Sequence, residues 1–304
     1  MLLPLALCAL LLTSVTPSDW SQAMAAHAET RHDKAFWRMI VKNDYKPPAG
    51  TSPSELALEL SKSLGSPDPE MRDELAYNIL ATWIYKTHQV DLSTLRALTE
   101  VWQGNLAAIP GSGENPALRR SFSALMLSVA VARDNAEPFL EEQEFRKLWR
   151  GALAYLAVET DLRGFDNQLG WIHSAAHTAD LLKFLARSRY ATREDQAALL
   201  AAVQLKLSTA PVVFIYGEDE RYARTVLSVI LRKDFDLPVF EKWAKDLGST
   251  LHAEIVPSEQ VLHGQQNVKN FLTKLDFILL LQTEPGPSVH SAEEAVRTAV
   301  KNTF

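Results

Sequence analysis

The chain is 304 residues long, 47% hydrophobic and 22% charged, the make-up of an ordinary globular protein able to bury a core as one large domain or two packed halves. A formal charge of −6, with no lysine or arginine cluster interleaved with aromatics, argues against a nucleic-acid partner, which needs a basic surface able to release phosphate counterions. Only 12 glycines are present, too few for glycine-rich phosphate loops or barrels of many tight turns.

In chain order, the first element is the apolar run Met1–Leu12, too short to span a bilayer and shaped like the core of a secretory signal. Ala23-Met24-Ala25 and Ala26-His27-Ala28 offer small-residue cleavage sites, although no basic residue precedes Arg31. The expectation is a signal peptide over 1–28 and a periplasmic or secreted protein with no transmembrane segment in its mature chain. The alternative is a cytoplasmic protein translated from Met24. Cys8, the only cysteine, falls inside the presumed signal, which leaves the mature chain without disulfides or a thiol nucleophile.

Next, Ser52-Pro53-Ser54-Glu55 is a capping box with proline at the first helical position, opening a helix toward Leu64. Pro67-Asp68-Pro69 starts another, whose Arg72, Leu75, Ile79, Leu80 and Trp83 fall on one face. The pattern predicts further helices near 92–109, 116–133, 141–158, 168–188, 193–208, 219–232, 238–249 and 266–283. Gly111-Ser112-Gly113 reads as a loop. Pro211–Tyr216 looks β-like but has no strand to pair with, so it reads as an extended connector or a buried helix start. Ser291-Ala292-Glu293-Glu294 caps a short terminal helix after the Pro285-Gly286-Pro287 linker. The layout is therefore all-α: one domain over 29–284, then a linker and short helix over 285–304. Helix starts fall roughly 25 residues apart, the spacing of irregular helical hairpins stacked as a HEAT-like α-solenoid, with an α/α bundle as the competing arrangement.

Several phrases together resemble a bacterial family known as domain of unknown function 2785. They are Leu64–Asp73, Arg120-Ser121-Phe122-Ser123-Ala124-Leu125, Arg163-Gly164-Phe165 with Gly170–Leu182, and Gly217-Glu218-Asp219-Glu220-Arg221. The resemblance implies an all-α fold and brings no assigned activity and no catalytic residue.

The richest chemistry lies in Trp171-Ile172-His173-Ser174-Ala175-Ala176-His177-Thr178-Ala179-Asp180. On a helix over 168–188, His173, His177 and Asp180 fall within a stripe of roughly 60°, with Trp171, Ala175, Ala179 and Leu182 on the other side. Two histidines at i, i+4 can share a divalent metal such as zinc, and a third ligand could come from Asp161, Asp166 or Glu218-Asp219-Glu220. Ser174 stands where a His-Glu-x-x-His peptidase needs its glutamate, which disfavours that chemistry. Without metal, Asp180 hydrogen-bonding His177 makes an acid/base pair or a polar lock between helices. Asp161, Arg163 and Asp166 form a loop before the histidine helix, Glu218, Asp219 and Arg221 a charged helix start; with Trp171 these are the candidate binding residues. Their plainer readings are helix capping, dipole pairing and a Glu220–Arg224 pair. Arg72-Asp73-Glu74 and Arg119-Arg120 read as solvated faces or interhelical salt bridges. The tryptophans read as core anchors. The expected function is a binding or scaffolding module for a peptide, protein or small molecule, with a hydrolase-like enzyme using His173, His177 and Asp180 as the alternative.

Overall fold

A computed structural model of the chain describes residues 31–107, 116–249, 257–283 and 285–302. The expected signal segment, its cleavage sites and the Gly111–Gly113 loop lie outside the described residues. The fold is all-α. Among the described residues it comprises twelve helices and one two-residue β-hairpin.

The first helices are α1 (Lys34–Lys42), α2 (Pro53–Leu60, prolonged by the 3₁₀ turn Ser61–Gly65) and α3. Helix α3 is composite: π-helical Glu70–Tyr77, α-helical Asn78–Ala81 and π-helical Thr82–Lys86. Then come α4 (Leu92–Leu106), α5 (Pro116–Ala136) and α6 (Glu142–Val158). The hairpin β1 (Phe165–Asp166) and β2 (Gly170–Trp171) precedes α7 (Ser174–Ala186). The rest are α8 (Arg193–Thr209), α9 (Glu218–Ile230), α10 (Leu237–Ser249), α11 (Glu259–Leu280) and α12 (Pro287–Lys301).

Local chemistry sets these ends. Ser52 Oγ accepts from Glu55 N at 3.3 Å ahead of Pro53, the serine half of the expected capping box. Asp91 caps α4 through Thr94 N, and Thr192 with Asp195 boxes the start of α8. Three starts differ from expectation. Helix α11 begins at Glu259, capped by Ser258 Oγ on Val261 N, seven residues before the predicted 266. Helix α12 begins at Pro287, pre-shaped for the first turn, so Ser291 lies inside it. The histidine helix begins at Ser174, because Gly170 at φ +70° and His173 at φ 51° turn the backbone away from a right-handed helix. Pro211–Tyr216 is an extended connector with no strand partner, tied down where Asn267 accepts from Phe214 N and donates to Val212 O.

Alternate helices form two rows. Helix α5 packs on α7, α7 on α9 and α9 on α11, while α4, α6, α8 and α10 make the second row and α12 closes against α10 and α11. Among the largest fully buried side chains of the core are Trp37, Trp83, Trp102, Phe145, Phe240 and Phe271. Their burial is the main source of stability, at roughly 1.5–3 kcal/mol for a large apolar side chain. Three indole N–H groups are satisfied inside: Trp83 donates to Tyr45 O, Trp102 to Ser61 Oγ and Trp243 to Leu200 O. The charge run Arg119-Arg120 is not a solvated face at its second residue. Arg120 is buried in a bidentate pair with Glu159, at 2.7 and 3.1 Å.

Helices α3, α5 and α7 point the same way. Ser121 meets His177 and the Arg72 guanidinium lies over Phe122 at one end, while Arg133 donates to Ile84 O and Asn135 to Phe184 O at the other. Helix α5 is thus the floor of a groove whose walls are α3 and α7. Among the described residues no helix is long and apolar enough to cross a membrane.

A candidate ligand groove

Each wall contributes one stripe. Helix α3 supplies Asp73, Tyr77, Ala81 and Tyr85, every fourth residue, held on one side because π-helical i→i+5 hydrogen bonding widens the turn beyond 3.6 residues. Helix α5 supplies Phe122, Leu125, Val129 and Ala132 at ordinary helical spacing. Helix α7 supplies His177, Asp180, Lys183 and Phe184, and Trp171, His173, Tyr216 and Arg221 close the end where α7 begins. The cavity measures about 650 Å³ and its lining is mainly apolar.

His173 occupies the residue before α7 in the left-handed region, a conformation costing about 1–3 kcal/mol in a non-glycine residue. Its N–H bonds to the carbonyls of Arg163 and Gly164 hold it there, together with a stacked Trp171 ring 4.6 Å away. Nε2 lies 3.1 Å from Tyr216 O, a carbonyl, so Nε2 carries the proton and donates, leaving Nδ1 as the lone-pair nitrogen. Glu218 Oε1 stands 3.7 Å from the same Nε2 while Oε2 accepts from Tyr216 N. Burial lowers the His173 pKa and raises that of Glu218, drawing both toward their neutral forms.

His177 sits one turn on, its ring 5.6 Å from His173 in an edge-to-face arrangement and 4.9 Å from Phe122. The Ser121 hydroxyl donates to Ile172 O, so His177 Nδ1–H donates to Ser121 Oγ at 2.8 Å. Burial, helped by the charges of Arg221 and Arg72, keeps this imidazole neutral well below the ordinary histidine range. No described residue hydrogen-bonds Nε2, which is not among the sealed polar atoms and so opens on the groove.

Asp180 does not bond His177 as its spacing suggested. It is buried, with Lys183 Nζ at 2.7 Å on Oδ1 and Arg221 Nη1 on Oδ2. The nearby cations outcompete a neutral imidazole for the carboxylate. Asp161 and Asp166 both turn to Arg163, which chelates Asp161 at 2.7 and 2.9 Å, so this trio stands outside the groove and Arg163 caps no helix. Asp219 accepts from Glu220 N, and the expected Glu220–Arg224 pair forms at 2.7 Å. Among the described residues no three His, Cys, Asp or Glu side chains gather as a metal-binding group. Of the acids that the sequence offered as third ligand, Asp161, Asp166, Asp219 and Glu220 are engaged elsewhere, and Glu218 alone stands beside His173.

Trp171 is also not the apolar back of a helix. It lies in β2, 40% exposed, edge-on to Phe165 and Tyr216. The other buried tryptophans are core anchors as expected. Arg72-Asp73, expected on a solvated face or in an interhelical salt bridge, is the larger correction. Arg72 is fully buried and donates to the carbonyls of Ser66, Leu169 and Trp171, fastening the hairpin to α3. Asp73 lies 3.0 Å from the same guanidinium and lines the groove, yet one carboxylate oxygen has no donor. Burial outweighs the attraction to Arg72 and pushes its pKa up to about 6. The i, i+4 run Asp73, Tyr77, Ala81, Tyr85 was the sequence signal for this wall.

The model of one protein family matches residues 106–277, covering α5 to α11 and every element of the groove except α3. The chain belongs to the DUF2785 family. That family is described as a protein of unknown function, in agreement with the resemblance carried by the Gly170–Leu182 phrase. No curated protein and no solved structure matches this DUF2785 chain. Its chemistry must therefore be argued from the groove.

Proposed function

We propose that this protein is a ligand-binding module whose groove takes one elongated, largely apolar molecule. The observation carrying this reading is that one cavity of about 650 Å³ gathers His173, His177, Asp180, Trp171 and Arg221 around an apolar floor. A binding site needs such a mix, since apolar walls supply affinity and a few fixed polar groups supply orientation. The two rows of helices read as stacked hairpins, and the groove as part of their inner surface. Export through residues 1–28 belongs to the same proposal. Mass spectrometry of the cellular protein tests it: a start after the signal is expected, and an intact Met1 or a start at Met24 contradicts it.

The binding reading is tested by thermal unfolding with a panel of ten-carbon amphiphiles, using Ala132→Trp to fill the groove floor away from its polar end. A ligand at 100 times its Kd stabilises by about 2.7 kcal/mol. The wild type should gain and the folded variant should not. Equal gains in both would place the ligand elsewhere and defeat the reading.

One observation favours a second reading. Asp73, with a pKa of about 6, and the open Nε2 of neutral His177 line the same groove, as an acid/base enzyme would need. Hydrolysis of amphiphilic esters by wild type but not by His177→Phe would support this reading; rates equal in the two would remove it.

A further inference from the structure

The hydrogen-bonding state of His177 says what the bound molecule carries. This argument rests on the groove being a binding site and goes on to its ligand. Only 6% of His177 is exposed, and its tautomer is fixed because Ser121 spends its proton on Ile172 O. Nε2 is therefore a lone-pair acceptor directed at the groove and left without a donor by every described residue. In a mainly apolar groove, a lone pair that meets no protein donor favours an incoming molecule that brings an O–H over one that brings none.

The donor's charge is constrained as well. Arg72 and Arg221, which help keep a proton off His177, repel a ligand ammonium in the same place. An anionic head brings no donor and would meet a lone pair instead of a proton. An uncharged O–H satisfies Nε2 without either conflict. Beyond it the floor from Phe122 to Ala132 is apolar apart from Ser128, whose hydroxyl is turned back to Leu125 O. Ten residues of helix give that floor a length of about 15 Å.

We infer that the groove binds a neutral, hydroxyl-bearing amphiphile, its O–H donated to His177 Nε2 and its apolar body laid along α5. Phe122 and Tyr77 flank the head, Leu125, Val129 and Ala132 carry the tail, and Tyr85 stands at the far mouth.

The test is calorimetric titration of the full chain at pH 7.5 with 1-decanol, decanoate and decylammonium, on wild type and His177→Phe. The wild type should prefer the alcohol by about tenfold or more, as loss of one buried hydrogen bond implies, and the variant should not discriminate. In the wild type the ¹⁵N signal of His177 Nε2 should move upfield with added decanol, a readout independent of how the variant folds. Equal or tighter binding of either ion, a preference that survives in His177→Phe, or an unmoved Nε2 signal would overturn the inference while leaving groove binding standing. Failure of all three probes to bind would defeat the groove reading and this inference with it.

Discussion

Replacing Asp73 with asparagine should make the protein more stable at pH 8, although it removes half of an ion pair. The carboxylate lies 3.0 Å from Arg72 Nη2, but one of its oxygens is sealed without a donor. Burial lifts its pKa from 3.8 to about 6. At 1.36 kcal/mol per pKa unit the ionised form is disfavoured in the fold by about 3 kcal/mol. The side chain keeps 18% exposure, and solvent screening reduces the figure to about 1–2 kcal/mol. The sign follows from linkage. The folded pKa lies above the unfolded one, so the extra stability belongs to the protonated form, is complete below pH 3.8 and is lost as pH rises through about 6. Asparagine stays neutral and keeps a carbonyl for Arg72. Urea unfolding at pH 8 should therefore favour Asp73→Asn by about 1–2 kcal/mol, with the gap closing toward pH 4. A variant less stable than wild type at pH 8 would mean that attraction to Arg72 outweighs burial, and the proton account of this wall would fail.

Other outcomes follow from the same contacts. Arg72→Met should destabilise by about 3–5 kcal/mol in urea unfolding, since it strands three buried carbonyls and a carboxylate, and Trp171 emission should shift as the hairpin loosens. Glu159→Gln leaves Arg120 buried without its counter-charge and should lose about 3 kcal/mol by the same assay. Gly164→Ala would set a methyl 2.2 Å from Tyr216 Cδ2, so about 1–3 kcal/mol of stability and the His173–Tyr216 contact should go together, the latter visible in histidine NMR shifts. His177 should stay neutral in those spectra at pH values where an exposed histidine is already protonated. Its depressed pKa makes it stabilising above 6.5 and progressively destabilising as pH falls and the unfolded histidine takes up a proton.

The helices were legible because their signals are local. Ser52 with Pro53 and the charged start at Glu218 sit within a turn of what they cap, and the Gly170–Leu182 phrase carried the family. The site was legible only in part, because its geometry is set from far along the chain. Arg72 reads as surface charge until Leu169 and Trp171, almost a hundred residues away, fold over it. Asp180 looks one turn from His177 on a wheel, but Arg221 arrives from α9 to claim it. His173 adopts a left-handed backbone that no spacing rule predicts for histidine, and it delays the helix start to Ser174, six residues after the predicted 168. The π-helical turns of α3 keep Asp73, Tyr77 and Tyr85 in line, whereas their apolar neighbours follow a pattern indistinguishable from an ordinary helix.

The claim on which the account depends is that the space between α3, α5 and α7 holds a ligand. Calorimetric titration of wild type and Ala132→Trp with ten-carbon amphiphiles tests it most directly. One molecule bound per chain with a negative heat-capacity change in the wild type, and no heat in the folded variant, is the predicted result. Equal binding by both proteins, or none by the wild type to any member of the panel, would contradict it.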